Sequence, residues 1–479
     1  MKKILYLFLL ICLAFDTGFS FLQHYSQPLD GDMSQNIVPD PSLKPIFENP
    51  LGLIVISQDK YYANPNRFFC HWAELNYFQK LPGFLHKFSN PIDSVYLAAA
   101  ISKTFMQLAL IFLLAFCITG TFNVLKLDFL IASVLITPLF QTNGYQSYMG
   151  IIDHAVTYAF FYALPLIVVL VYFIPIFFEI YYYRKFKYQI IINVLWIPIA
   201  LVVSLSGVLN PGISIIVSFL IIFNFLYRSY NYAHSNAWAA RIIESTRKVP
   251  RSFWFYLVPV SLFSLYSLYI GRHNSFGLGN SITIMELYSR IPEGIFYVFF
   301  QKLGFPVLFI ILLVNYFLIK KSYINDERGV RILRLFRWTG IFIILYILLL
   351  PLGGFRSYRP YVLRYDTIIP ITIAIIFLFG ISTMFLIKNC SAKLRIIYWP
   401  AILLILFIFS NADHLEYNNK CEKAALKEIS TAQKPIVELN SSCYVLSWGK
   451  IIKPEDSELN SQLIYLWGIS DSKKFYYNK

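Results

Sequence analysis

Charged residues are scarce in this 479-residue chain, since Asp, Glu, Lys and Arg together make up only 14% of the sequence. Hydrophobic residues make up 57% and aromatic residues 18%. A soluble domain has no need for so many apolar runs that can each cross a hydrocarbon core of about 30 Å. The runs are continuous and do not alternate with polar residues, which excludes a transmembrane β-barrel. The composition therefore predicts an all-α polytopic membrane protein.

Cysteine is also rare, with six residues in the whole chain. No spacing among them resembles a zinc site. Cys12, Cys117 and Cys390 fall in or beside apolar segments, where we expect them only to pack. Cys421 and Cys443 both fall in the C-terminal tail, and we expect a disulfide between them if that tail lies outside the cytoplasm.

Two further absences narrow the function. The net charge is +15, but no basic aromatic patch of the nucleic-acid-binding type stands out. The basic residues lie beside apolar spans, where anionic membrane lipids account for them. We therefore expect no nucleic-acid partner. The chain also has no internal repeat, which weakens the interpretation as an inverted-repeat transporter.

Eleven apolar segments have the length and composition of membrane spans. The predicted spans are 3–22, 97–119, 122–141, 154–178, 189–208, 212–228, 253–270, 296–319, 338–352, 367–387 and 396–411.

Lys and Arg are concentrated in every second connection between these spans. The predicted inner segments hold 20 Lys and Arg, whereas the four short outer loops hold 5. The positive-inside rule then places Met1 in the cytoplasm and the C-terminus outside. If one helix had been missed, Lys and Arg would be concentrated in the outer connections after that point. The regular alternation of the charges therefore also supports the helix count. We expect a bacterial cytoplasmic membrane, with the active site facing outward. Cleavage of a signal peptide after Gly18 or Ser20 is the alternative to a retained first helix.

Two outer segments are long. The loop 23–96 belongs to the predicted transmembrane domain, residues 1–411, and its aromatic pieces predict short amphipathic helices in the membrane interface. The tail, residues 412–479, is predicted to be a small extracytoplasmic α/β domain. Its pattern is helical near 422–429, and strand-like pieces follow at 436–439, 443–448 and 463–467.

Asp30 and Asp32 follow the first predicted helix in the segment Leu29–Ile37, LDGDMSQNI. Two carboxylates around a glycine can converge on one divalent cation, Mg²⁺ or Mn²⁺, or on a sugar hydroxyl. A carboxylate at a membrane interface can also act as a general base. The alternative is a solvated acidic turn, because Pro-Leu-Asp-Gly is a good turn sequence.

Asp153 precedes the fourth predicted helix, directly before His154. An aspartate at this place is a natural N-cap, which is the structural interpretation. The functional interpretation is that its carboxylate lies on the same outer face as Asp30 and Asp32 and joins their site.

Arginines occur against the positive-inside trend in the segment Arg356–Asp366, RSYRPYVLRYD. Arg359 and Arg364 are interleaved with tyrosines, including Tyr365, and guanidinium groups bind phosphate with two parallel hydrogen bonds. A lipid-linked phosphate at the membrane surface would suit them. The alternatives are interfacial anchoring and pairing of an arginine with Asp366.

The predicted outer loop 271–295 adds three candidate substrate-binding residues, Arg272, His273 and Arg290. Their charges can line a substrate cleft or simply face water, and the sequence does not separate these alternatives.

This layout resembles the GT-C-fold glycosyltransferases, polytopic enzymes that use polyprenyl-phosphate-linked sugars. The resemblance rests on the acidic motif Leu29–Ile37, the long aromatic first loop, the sequence Ile152–Thr157 around Asp153, and the Arg359–Tyr365 stretch before a Pro-containing helix. By architecture it covers most of the chain, but by motif only about thirty residues. In that family the first acidic motif usually carries adjacent acidic residues, whereas glycine separates the two aspartates of this chain.

The resemblance implies a membrane glycosyltransferase. The donor would be a polyprenyl-phosphate sugar, and the acceptor a lipid-linked glycan, an exported envelope polysaccharide or a protein. Asp30 or Asp32 would deprotonate or orient the acceptor hydroxyl, Asp153 would assist, and Arg359 and Arg364 would stabilise the departing phosphate. The alternatives are a transporter or flippase of an anionic lipid or glycolipid, and a non-catalytic scaffold for envelope assembly.

Overall fold

The computed structural model describes residues 2–140, 150–185, 189–230, 238–277, 282–354, 361–412, 414–416, 418–440 and 442–479. In this part of the chain nine helices are long and apolar enough to cross a membrane. Two shorter apolar helices, Leu127–Leu139 and Val194–Ser204, coincide with the other two predicted spans. The chain is thus a mostly helical integral membrane protein, which confirms the predicted class.

The helices are numbered α1 to α20 along the chain. The first eight are α1 (Lys2–Tyr25), α2 (Met33–Ile37), α3 (Lys44–Glu48), α4 (Leu53–Gln58), α5 (Phe68–Leu85), α6 (Pro91–Thr119), α7 (Leu127–Ile136) and α8 (Val156–Tyr181). The next ten are α9 (Gln189–Ser204), α10 (Asn210–Tyr230), α11 (Trp238–Arg247), α12 (Arg251–Gly271), α13 (Ile284–Ser289), α14 (Ile291–Phe300), α15 (Gly304–Ser322), α16 (Glu327–Leu349), α17 (Ile369–Asn389) and α18 (Ala392–Asn411).

Helix α6 shows how the sequence sets helix ends. The Asn90 side chain accepts a hydrogen bond from the backbone N–H of Asp93, and Pro91 occupies the first turn, where a missing N–H costs nothing. Gly120 ends the helix with a φ of 68°, a left-handed conformation that glycine adopts without strain.

Helix α17 lies at the centre of the bundle, and 83% of its most apolar stretch is buried inside the protein. Gly380 permits this close packing, because a Cβ there would lie 2.4 Å from Ile118 of α6. Polar groups also join helices inside the bundle. Asn315 of α15 donates to Ser382 and Thr383 of α17 and accepts from the hydroxyl of Tyr398 in α18.

Several predicted spans have different boundaries in the structure; α16, for example, begins at Glu327 and not at residue 338. The segment 296–319 is divided between α14 and α15, because polar Gln301 and Lys302 interrupt the apolar run. The helix expected from residue 154 begins at Val156, and Ala155 occupies its N-cap position. Asp153 is therefore not the N-cap residue of that helix.

The C-terminal tail has an α/β structure. It contains α19 (Lys420–Thr431), β1 (Ile436–Leu439), α20 (Glu458–Leu466) and β2 (Phe475–Asn478). The two strands pair in parallel, with Ile436 opposite Phe475. The prediction of strand-like structure at 463–467 was wrong, because apolar residues recur there with the helical period. Residues 443–448 form no strand either.

The tail packs against the first loop and the neighbouring membrane helices. The indole N–H of Trp467 donates to the backbone oxygen of Phe78 in α5 at 3.0 Å. Lys423 forms an ion pair with Asp93 at the start of α6. These contacts place the tail over the segment that carries Asp30 and Asp32.

Candidate functional site

Asp30 lies in the turn between α1 and α2, and only 3% of its surface is exposed. Its Oδ1 accepts a hydrogen bond from the backbone N–H of Asp32 at 3.0 Å. Its Oδ2 accepts one from the backbone N–H of Thr157 at 2.9 Å. Thr157 is the second residue of α8, so its N–H has no partner within that helix. Asp30 therefore caps α8 from a distant part of the chain, at the positive end of the helix dipole.

A second carboxylate meets the same threonine. Glu74 of α5 is fully buried, and its Oε1 accepts the hydroxyl hydrogen of Thr157 at 2.7 Å. Its Oε2 accepts a hydrogen bond from the side-chain amide of Asn36 at 3.0 Å. Thr157 thus holds Asp30 through its backbone and Glu74 through its side chain, which brings two carboxylates together at one helix end.

Asp153 and Lys103 complete this cluster. Asp153 is buried, and its Oδ1 accepts the backbone N–H of Ala155 at 2.7 Å. The ammonium group of Lys103, a buried residue of α6, donates to the backbone oxygen of His154 at 2.8 Å. Lys103 lies within electrostatic reach of both Asp153 and Asp30. One buried cation therefore offsets part of the negative charge of the site.

Burial changes the proton affinity of the carboxylates. Loss of hydration raises the pKa of Asp30 to about 6, against the lowering effect of its hydrogen bond from Thr157. Burial also raises the pKa of Glu74 well above its ordinary value, and the nearby Asp30 charge raises it further. Asp30 thus titrates close to neutral pH, in the range suited to accepting and releasing a proton.

The tail explains the glycine between the two aspartates. A Cβ on Gly31 would lie 2.6 Å from the backbone nitrogen of Trp448 and 2.7 Å from its indole ring. Only glycine leaves room for the tail to approach the turn so closely. The Trp448 ring is 52% exposed, and its centroid lies 5.9 Å from that of Tyr158 in α8. Two aromatic rings therefore border the Asp30 turn.

Glu422 of α19 fixes the tail to the same turn. Its Oε2 accepts hydrogen bonds from the backbone N–H of Leu29 at 2.8 Å and from the hydroxyl of Tyr96 at 2.7 Å. Its Oε1 accepts the backbone N–H of Leu446. Burial raises the pKa of Glu422 to about 7. The adjacent Cys421 is joined to Cys443 in a disulfide, with 5.8 Å between their Cα atoms.

Asp32 is more accessible than Asp30 and accepts a hydrogen bond from the side chain of Gln35 at 3.0 Å. Across the described ranges, no three His, Cys, Asp or Glu residues are grouped as ligands for a metal ion. Both oxygens of Asp30 are already engaged by backbone N–H groups. The sharing of one divalent cation by Asp30 and Asp32 stays a prediction.

Arg364 holds the carboxylate of Asp366, which connects it to α8. Its guanidinium group donates two hydrogen bonds to Asp366, at 3.0 and 2.9 Å, and a third to the backbone oxygen of Tyr361. Asp366 in turn accepts a bond from Tyr162, which lies five residues after Thr157 in α8. The alternative interpretation, in which an arginine pairs with Asp366, therefore describes Arg364. Arg359 lies outside the described residues.

Tyr365 is a packed residue in this structure. It is buried, its ring lies 5.6 Å from that of Tyr297, and its hydroxyl points to the backbone oxygen of Val298. Tyr297 belongs to α14, so Tyr365 joins the Arg364 segment to that helix.

The other predicted binding residues make contacts of their own. His273 lies 2.8 Å from Asp59, and its backbone oxygen accepts the N–H of Tyr62 in the first loop. Arg272 is exposed beside it. Arg290 pairs with Glu286 one helical turn away, on the surface. His273 thus connects two loops. No hydrogen bond or ion pair among the described residues links His273, Arg272 or Arg290 to Asp30.

Sequence reasoning missed Glu74 and Glu422 as members of the site. Glu74 lies in a largely apolar helix and Glu422 in an amphipathic one, and a glutamate in a helix ordinarily indicates a solvated position. The available signal was the position of Glu74 among aromatic residues, in the stretch 68–79 that holds no other Asp, Glu, Lys or Arg.

No known protein-family model, no curated protein and no solved structure matches this chain.

Proposed function

We propose that this protein is a membrane glycosyltransferase that acts on the extracytoplasmic face of a bacterial cytoplasmic membrane. The observation that carries the proposal is the pair of buried carboxylates, Asp30 and Glu74, held by Thr157 at the N-terminus of α8. Paired carboxylates with a raised pKa, beside a buried lysine and the exposed ring of Trp448, suit proton transfer from a sugar hydroxyl. The proposed architecture is GT-C-like, with eleven spans, the N-terminus inside and the C-terminus outside.

In the proposed reaction, the acceptor hydroxyl oxygen attacks the anomeric carbon of the donor sugar. The bond between that carbon and the lipid phosphate breaks, and the phosphate leaves with the electron pair. Asp30 accepts the hydroxyl proton through the free lone pair of one of its carboxylate oxygens. Glu74 and Lys103 set the charge around Asp30, and Asp153 holds the start of α8 in position through Ala155.

The donor in this proposal is a polyprenyl-phosphate-linked sugar. Arg364 supplies positive charge near the outer end of α8, and Arg359 is assigned to the same phosphate. Arg364 also forms an ion pair with Asp366. A bound phosphate would therefore share the guanidinium group with the Asp366 carboxylate. Such fixed positive charge stabilises the departing phosphate in the transition state.

A flippase or transporter is the alternative, and it requires a polar path through the bundle. Lys103 is the buried cation that such a path would use, but its ammonium group is bound to Gln27 and to the His154 backbone. These contacts tie Lys103 to the outer cluster and favour catalysis at one face over transport.

The test is sugar transfer in native membranes that contain the variants Asp30→Asn and Glu74→Gln. Each substitution keeps the size of the side chain and removes the basic carboxylate. We expect the Asp30 variant to lose about 10²- to 10⁴-fold in rate, the usual contribution of a general base. Mass spectrometry of the glycan products is the measurement.

Glu48→Gln is the matched control, because Glu48 is an exposed residue of the same loop. It should retain the parent rate. Full transfer by folded Asp30→Asn protein would refute the assignment of the base. Sugar transfer at the parent rate in membranes from cells that lack the whole protein would favour a transporter or a scaffold instead.

A further inference from the structure

A polar cleft lies between the first loop and the tail, beside the Asp30 turn. Its volume is about 490 Å³. Gly31, Ser34 and Gln35 line it from the first loop. Gln35 also donates a hydrogen bond to Asp32, so the cleft adjoins the acidic motif directly.

Ser34 indicates that this cleft has an occupant. The serine is 2% exposed and lines the cleft. Within the described ranges its hydroxyl oxygen has no hydrogen-bond partner. A buried hydroxyl without a partner is costly, because it has lost its hydrogen bonds to water. A ligand that brings a polar group to the wall of the cleft would remove this cost.

The charge of the lining selects the kind of ligand. Four acidic residues and one basic residue line the cleft: Asp40, Glu455, Asp456, Glu458 and Lys450. Ionised carboxylates only accept hydrogen bonds, so they favour hydroxyl or ammonium donors and repel phosphate and carboxylate groups.

Apolar residues of the tail share the wall with these acidic groups, namely Leu446, Ile451 and Leu459. A sugar ring presents hydroxyl groups at its edge and C–H groups on its faces. It can therefore satisfy the carboxylates and cover the apolar residues at the same time.

We propose that this cleft binds the acceptor, and that the acceptor is a neutral or amine-bearing saccharide. The inference rests on the proposed glycosyl transfer and adds the class of acceptor. The saccharide lies between α2 and the tail, with one hydroxyl directed toward the Asp30 turn. The negative lipid phosphate of the donor stays on the side of Arg364.

The experiment measures saccharide binding to the full chain in lipid nanodiscs, without any donor. The probes are chitobiose, which carries amines, its neutral N-acetylated form, and digalacturonate, which carries carboxylates. Saturation-transfer NMR reports which probe binds, and titration gives the dissociation constant. We expect binding of the first two probes and none of digalacturonate. Binding of digalacturonate as tight as that of chitobiose would overturn the proposal.

Substitutions place the binding in the cleft. Asp456 and Glu458 are exposed, so Asp456→Asn with Glu458→Gln removes charge without disturbing packing. We expect chitobiose to bind about tenfold more weakly, since a charge-assisted hydrogen bond is lost. Glu438→Gln, an exposed change on β1 of the same tail, is the control and should bind as the parent does. Equal affinity in all three proteins would overturn the proposal.

The binding and transfer measurements distinguish an error in the proposed acceptor site from an error in the proposed reaction. The variant Asp30→Asn should keep its affinity for chitobiose while it loses transfer. If the protein binds chitobiose through the cleft but transfers no sugar, the proposed acceptor site stands and the proposed reaction is wrong. If the variant with both Asp456 and Glu458 substituted still transfers sugar at an unchanged acceptor KM, the proposed acceptor site is wrong and the proposed reaction stands.

Discussion

At the scale of single residues, the central feature is a carboxylate whose surroundings come from distant parts of the chain. Asp30 accepts a hydrogen bond from Thr157, lies near the positive charge of Lys103 and adjoins a turn that the tail covers. The sequence identified Asp30 as a candidate because it follows a membrane helix. These partners all lie 73 or more residues further along the chain, and no local pattern reveals them.

The raised pKa of Asp30 predicts how transfer depends on pH. Asp30 must be ionised to accept a proton, and its pKa lies at about 6. The rate should therefore rise with pH through about 6 and level off above it, and at pH 5 it should be about one tenth of the plateau. Initial rates between pH 4.5 and 8 measure this. A rate that is constant down to pH 4.5 would contradict the assignment.

Gly31 gives a second prediction at this scale. In Gly31→Ala the new Cβ would meet the backbone of Trp448 at 2.6 Å, so the tail must shift. We expect a loss of about 1–3 kcal/mol of stability, the usual cost of overpacking. Thermal unfolding in detergent measures it. Gly83→Ala is the control, because a Cβ at Gly83 meets nothing within 4 Å. Equal melting temperatures for the two variants would contradict the close approach.

At the scale of structural elements, α5, α8 and α19 meet at the Asp30 turn, and each contributes one anchoring residue. The anchors are Glu74, Thr157 and Glu422. Helix α8 contains a turn of π-helix at Ala159–Ala163, directly after its contact with Asp30. Single π-helical turns are frequent at functional sites, and this one changes the direction of the side chains that follow.

Glu422 predicts a pH dependence of stability. Its pKa is raised to about 7 in the folded protein, from an ordinary value of 4.5. The folded state therefore favours the protonated form, and its contribution to stability is full below pH 4.5 and is lost as the pH rises through 7. Glu422→Gln should remove this part of the pH dependence. It should also destabilise the protein by about 1–3 kcal/mol, because its amide group faces N–H or O–H donors.

Melting temperatures between pH 4.5 and 8 test this prediction. The difference between the parent and Glu422→Gln should be largest at low pH. Glu428→Gln on the same helix should follow the parent, since its carbonyl oxygen can still accept from Asn440. A constant difference between the parent and the Glu422 variant at every pH would show that the proton on Glu422 is not involved.

At the scale of the whole molecule, the sequence predicted the membrane class, because hydrocarbon imposes long apolar helices. It also placed the helix of the tail and its first strand correctly. It did not predict that the tail would cover the acidic motif, because docking depends on contacts such as Trp467 to Phe78, which are 389 residues apart. It likewise missed the helix at 458–466, where apolar residues were mistaken for a strand.

For the site, as for the fold, the sequence predicted the features that depend on local pattern and not those that depend on distant contacts. Residue types and their positions near span ends identified Asp30 and Asp153, and the structure places both around Lys103. The sequence also suggested Arg272, His273 and Arg290, but His273 contacts Asp59 and Arg290 pairs with Glu286. The charge of an isolated residue indicates that it is polar, whereas its partner depends on the three-dimensional fold.

The most direct measurement for the central claim is mass spectrometry of lipids that co-purify with the protein from native membranes. We predict that polyprenyl phosphate or its glycosyl form accompanies the parent and Asp30→Asn. It should be depleted in Arg359→Ala and in Arg364→Lys, which keeps a positive partner for buried Asp366 but loses the guanidinium fork. Bulk phospholipid alone, in the same proportions for all four proteins, would contradict the account.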